Sequence, residues 1–148
     1  AHGLEQVEFL VAGHAGVEPR PLNKVASGGE LSRISLALHV TTASTGTVPC
    51  MIFDEVDVGI GGGVAEVVGQ LLKQIGSNRQ VLVITHLPQV AAQAAYHLQV
   101  SKTQQSGTTL SSIRRLAQDE RVDEVARMLG GLQITEITRQ HAKEMLAM

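Results

Sequence analysis

"CMIFDEVDVGIGGGVAEVVGQLLKQIGSNRQVLVITH", residues 50 to 86, holds one complete strand–helix–strand cycle. "PCMIF" (49–53) is a short, nearly all-apolar run, the pattern of a buried central strand. "GIGGG" (59–63) reads as a flexible loop, and "VAEVVGQLLKQIG" (64–76) as a helix closed by Gly76. "QVLVIT" (80–85) is a second buried strand. Two such strands joined by a helix pair in parallel through a right-handed crossover. The predicted class is therefore α/β, with mainly parallel strands and flanking helices.

On the amino-terminal side, "QVEFLVA" (6–12) reads as a strand and "HAGVEPRPL" (14–22) as a loop with Gly and two Pro. From Gly28, Leu31, Ile34 and Leu38 stand at i, i+3 and i+7 with Ala37 filling the stripe, so a helix is expected to end near "TTASTG". On the carboxyl side, "LPQVAAQAA" (87–95) reads as a helix with Pro88 in its first turn, where a missing N–H costs nothing. "HLQVSK" and "TTLSSIRRL" flank "TQQSG" as a β-hairpin, and two helices separated by Gly130 and Gly131 close the chain.

The length of 148 residues fits one compact domain. Hydrophobic residues make up 43% but aromatics only 2%, so the core must be built from Val, Leu, Ile and Ala. A net charge of −2 leaves no electrostatic footprint for DNA or an anionic membrane. The one dense cationic segment, Arg114 to Arg127, is interrupted by Asp119, Glu120, Asp123 and Glu124, the pattern of a solvated helix face with internal ion pairs. The single cysteine, Cys50, cannot form an internal disulfide, and these residues show neither an apolar run near membrane-span length nor a signal-peptide pattern. A cytoplasmic setting is the expectation.

Three stretches could carry chemistry. The apolar strand at 50–53 delivers Asp54 and Glu55 to its carboxyl end, where ligands bind in open α/β sheets. There, one carboxylate can hold Mg2+ through water and the next can deprotonate an attacking water; two acids at a strand exit can also be plain turn residues. The second strand ends at His86, able to donate a hydrogen bond to a phosphate or to sit as an ordinary loop residue. In "KVASGGELSRISLAL" (24–38), Ser27 caps a helix whose first N–H groups, at Gly28 and Gly29, form an anion site. With Glu30 three residues on, the same stretch also reads as a capping box. The two roles are compatible, because an anion satisfies the same orphan donors. The other five histidines, at positions 2, 14, 39, 97 and 141, show no metal-ligand spacing and read as structural.

In this order, the motifs resemble the ATP-binding-cassette ATPases, and within them the heads of the structural-maintenance-of-chromosomes and Rad50-like type. "ASGGELSR" is similar to their signature motif, "CMIFDEVD" to their Walker B and "VITH" to their switch histidine. The longer runs "PLNKVASGGELSRISLAL", "IFDEVDVGIGG", "VITHLPQVAAQA" and "RVDEVARMLGG" resemble a bacterial branch that acts in DNA double-strand-break repair and recombination.

The resemblance implies ATP and Mg2+ as cofactors, with Asp54 on the metal, Glu55 as base and His86 beside the γ-phosphate. Ser27, Gly28, Gly29 and Glu30 would face the ATP of a second head, since two heads sandwich two nucleotides in this family. Ser27 would then lie far from Asp54, Glu55 and His86 within one chain. Arg33 could support coupling between heads, or be an ordinary ion-paired residue. The dimer-contact aspartate that the wider family places after Walker B is replaced by a small residue, Gly61.

One part of the family's pattern is missing. A phosphate loop needs Gly-Lys-Ser/Thr, and the four lysines follow Asn23, Leu72, Ser101 and Ala142. No heptad-bearing helix is present for a coiled-coil arm. Residues 1–148 thus read as the carboxyl-terminal half of a head, silent as an ATPase alone. Its expected partners are the Walker A lobe, a second head and, by family only, DNA on the nucleoid. A non-catalytic dimerisation or docking module is the alternative, and a free-standing phosphate-binding enzyme a distant third. The silent half should also expose apolar surface where the other lobe would pack.

Overall fold

The computed structural model describes the chain except residues 1, 2, 6, 13, 14, 25–27, 43–47, 55, 106, 132 and 148, with only the backbone described at 28–30, 32 and 105. Its centre is a parallel pair, β3 (Cys50–Phe53) and β4 (Gln80–Val83), in the register Cys50↔Gln80 to Phe53↔Val83. Before it come β1 (Leu10–Val11), β2 (Arg20–Pro21) and α1 (Gly28–Thr42). The crossover between the parallel strands is α2 (Gly62–Ile75), as the 50–86 cycle predicts. Beyond β4 lie α3 (Pro88–Ala91), the hairpin β5 (Leu98–Gln105) with β6 (Thr108–Arg115), then α4 (Gln118–Gly130) and α5 (Glu136–Met145).

The main core forms where α1, α2 and α3 cover one face of the parallel pair. Leu36 from α1, Phe53 from β3, Ala65, Val68, Leu72 and Ile75 from α2, and Val90 from α3 are all buried together. His39 meets the Phe53 ring edge-on, with centroids 5.7 Å apart, which accounts for one of the structural histidines. Strand alternation sends Met51, Phe53, Val81 and Val83 into this core. It sends Ile52, Leu82 and Ile84 outward, where they stay 67%, 41% and 58% exposed. The strands expected to be buried on both faces are therefore covered on one.

The amino-terminal strand is shorter than its apolar run. Among the described residues of this run, Leu10–Val11 alone forms a strand, antiparallel with Arg20–Pro21, where Pro21 has no N–H to extend the ladder. The helix expected over 87–95 is a single turn at Pro88–Ala91 followed by turns. The hairpin is present, from Leu98↔Arg115 to Gln105↔Thr108, with Thr103–Gln105 of the expected connection paired in the strand instead.

A second core lies between α4 and α5, where Val125, Ala126 and Ala142 are wholly buried and Leu129, Met145 and Leu146 pack around them. Two local caps explain where these helices start. Glu120 accepts the N–H of Ala117 at 2.8 Å, and Thr135 and Thr138 cap each other reciprocally. The 114–127 segment does contain ion pairs, Arg114–Glu120 at 2.5 Å and Arg127–Glu124 at 2.7 Å. It is not wholly solvated, however, because Arg121 and Glu124 are buried. Arg121 donates to the carbonyls of Ala94 (2.6 Å) and Ala95 (3.4 Å), tying the segment after α3 to α4. Burial holds its guanidinium below the usual arginine range.

Candidate functional site

The parallel register brings the ends of β3 and β4 to one edge, and Ile84 N–H donates to the Phe53 carbonyl at 2.9 Å, one step beyond the ladder. Asp54 leaves β3 at this edge and is exposed. His86 follows β4 at the same edge with its side chain 73% exposed. The two sequence-predicted groups thus share the carboxyl edge of one parallel pair, the place where open α/β sheets hold ligands. Glu55 and Ser27 lie outside the described residues. Gly28, Gly29 and Glu30 form the first turn of α1, whose backbone runs for 15 residues, so the helix expected after the Ser-Gly-Gly motif is present. The expected separation of Ser27 from the acidic pair rests on residues outside that set.

Beside His86 stands a residue that the motif reading quoted but gave no role. Asp57 is 1% exposed, in the turn after β3. Thr85 donates its hydroxyl to Asp57 Oδ2, and the same hydroxyl oxygen accepts the N–H of Leu87 at 2.9 Å. His86 Nδ1 lies 3.9 Å from Asp57 Oδ2, beyond a hydrogen bond but within ion-pair range. A carboxylate between Val56 and Val58 was the available signal, since an acid in an apolar context needs a partner when buried. That partner is 28 positions away and invisible locally.

The donor set suits Mg2+ and ATP only as part of a larger site. One exposed carboxylate after β3 can hold a hydrated Mg2+ alongside phosphate oxygens, but it cannot form an all-protein cage. Among the described residues no three His, Cys, Asp or Glu side chains cluster to hold a metal. Two surface depressions are lined by neither Asp54 nor His86. One, of about 300 Å³, is lined by His39, Cys50 and Arg79; the other, of about 530 Å³, by Tyr96, Arg115 and Arg121. Asp54 and His86 are both exposed at the strand edge, whereas neither hollow is lined by an acid. Among the described residues no helix is long and apolar enough to cross a membrane.

No family model matches the chain. Individual proteins do. It is 52% identical over 145 residues to DNA repair protein RecN of Xylella fastidiosa (strain 9a5c), covering 98% of this chain and 26% of that protein. RecN of Vibrio cholerae is 51% identical over 144 residues, 97% of this chain and 26% of that protein. RecN of Mycobacterium leprae is 51% identical over 146 residues, 99% and 24% respectively. A solved structure from "Structural biochemistry of ATP-driven dimerization and DNA stimulated activation of SMC ATPases" aligns with TM-score 0.57 and 22% identity, over 80% of this chain and 70% of that one. At that identity the likeness is one of fold alone, and it agrees with the α/β architecture. The chain spans about a quarter of the length of the curated relatives it matches. Over nearly all of its own length, it belongs to the family of the DNA repair protein RecN.

Proposed function

We propose that the chain is the carboxyl-terminal half of a RecN-like ATPase head, serving DNA double-strand-break repair and recombination through ATP-dependent pairing of two heads. The observation that carries this reading is the parallel pair that brings Asp54 and His86 to one carboxyl edge. A complete head would add a Walker A lobe to hold the α- and β-phosphates, and the uncovered apolar face of Ile52, Leu82 and Ile84 suits such a lobe. DNA is the expected substrate on the nucleoid. The relatives' name supports it; the chain's net charge of −2 does not.

Each residue then has a role. Asp54 would hold Mg2+, and Glu55 would take the proton of the attacking water. His86 donates a hydrogen bond to the γ-phosphate. Mg2+ and ATP together supply the polarised phosphoryl group and the anionic charge between heads. From the other head, Ser27 and the N–H groups of Gly28 and Gly29 bind the same γ-phosphate at a positive helix end, with Glu30 capping the turn. Hydrolysis removes the anion these donors share, and the heads part.

The test is Glu55→Gln in a complete head. The variant should accumulate as an ATP-dependent dimer in analytical ultracentrifugation, with turnover lost. Normal turnover by the variant would refute Glu55 as the base. The same uncovered face also fits a docking module without chemistry. ATP-independent dimers, unchanged by Glu55→Gln, would favour that second reading.

A further inference from the structure

We propose that Asp57 is a positioning residue for His86, acting through Thr85 as a latch between the two strand exits. This rests on the reading of His86 as the phosphate-side residue of the head. The parallel ladder ends at Phe53↔Val83, and the Ile84–Phe53 hydrogen bond carries it one residue further. His86 lies two residues beyond that bond, where ladder hydrogen bonding no longer determines the backbone. The latch acts at that point. The buried Asp57 carboxylate accepts the Thr85 hydroxyl, and the Thr85 oxygen accepts the N–H of Leu87. Thr85 and Leu87 flank His86, so its backbone is held on both sides while its ring stays 73% exposed.

The base of the latch is rigid. Val56, next to Asp57, is buried in the same core as Phe53, Val68 and Val90. Beyond the latch, the Leu87 carbonyl accepts the N–H groups of Val90 (3.1 Å) and Ala91 (3.0 Å), which joins the turn to α3. Asp57 also opens the glycine loop, its carbonyl accepting Ile60 N–H at 3.4 Å ahead of Gly59 and Gly62 at positive φ. A displacement of that loop therefore pulls on Thr85, and through it on His86. The 3.9 Å gap to Nδ1 leaves the carboxylate close enough to pair with a ring that swings toward it.

Two readouts separate this latch from the ATPase reading. On this chain, Asp57→Ala and Thr85→Val should each move the His86 ring signals in NMR and speed Leu87 amide exchange by about tenfold. Asp57→Asn, which keeps an acceptor, and Thr85→Ser, which keeps the hydroxyl, should restore most of the effect. Unmoved His86 signals and unchanged Leu87 exchange in a folded Asp57→Ala protein would overturn the proposal. In the complete head, Asp57→Ala should lower kcat by about tenfold to a hundredfold with KM little changed. It should lower it no further in a His86→Ala background. An equal loss in both backgrounds marks a merely structural role and overturns the proposal. If the complete wild-type head shows no turnover, the ATPase reading falls and the NMR result alone decides the latch.

Discussion

Gly69 is the position where the packing that supports His86 can be tested by one added methyl. It sits on the face of α2 that meets α3. A Cβ built there stands 2.9 Å from Gln93 Cγ, 3.0 Å from the Gln89 carbonyl oxygen and 3.2 Å from Val90 Cα. The Gln93 side chain can swing aside. The Gln89 carbonyl and Val90 Cα are backbone, so α3 itself must move. Overpacking of this kind costs about 1–3 kcal/mol. Alanine recovers about 1 kcal/mol of helix propensity over glycine, leaving Gly69→Ala destabilised by roughly 1 kcal/mol. For a chain of 148 residues that is a fall in Tm of about 4 °C. Gly63, in the first turn of the same helix, is the control: its Cβ would meet nothing within 4 Å. Gly63→Ala should therefore be neutral or slightly stabilising. Thermal denaturation of both variants by circular dichroism is the assay. Equal Tm values, or a Gly69→Ala protein as stable as wild type, would refute the close approach of α2 to α3.

Stability should fall as pH drops, in two stages. Burial, partly offset by Glu124, holds His97 below its ordinary value, so below about 6.5 the unfolded chain takes up the proton first and stability declines. Arg127, donating to Glu124 at 2.7 and 2.9 Å, holds that carboxylate below its ordinary value despite burial. Its contribution is present above about 4.3 and lost as pH falls through the lowered folded value. Urea unfolding from about pH 8 to about pH 2 reads both stages; His97→Gln should flatten the upper one, and an unchanged slope between about pH 7 and 5 in that variant would exclude His97. On the uncovered strand face, paired Ile52→Lys and Ile84→Lys changes should reduce hydrophobic-dye binding and self-association without lowering Tm. Unchanged dye binding would place the sticky surface elsewhere.

What local pattern encodes was readable in the sequence. The 50–86 cycle, the hairpin and the two closing helices each rest on periodicity and turn chemistry within a dozen or so residues, and all three appear where expected. The resemblance and the placement of Asp54 and His86 at one edge likewise follow from motif order. The rest depended on distant partners. The apolar runs at 50–53 and 80–83 mark two adhesive faces but not which neighbour covers each, so the exposure of Ile52 and Leu82 could not be read from them. Arg121 and Glu124 look like solvated helix charges until the Ala94 and Ala95 carbonyls and Gln99 come in from other elements. Asp57 looks like the tail of an acidic motif until Thr85 returns to it from the next strand.

The most direct test of the central claim is ATP hydrolysis, measured for this chain alone and again after mixing with a separately produced lobe carrying Walker A. The account predicts silence alone and turnover on mixing, abolished by Glu55→Gln. Turnover by the isolated chain that is lost in Asp54→Ala would contradict it, because a complete phosphate site would then exist within these 148 residues.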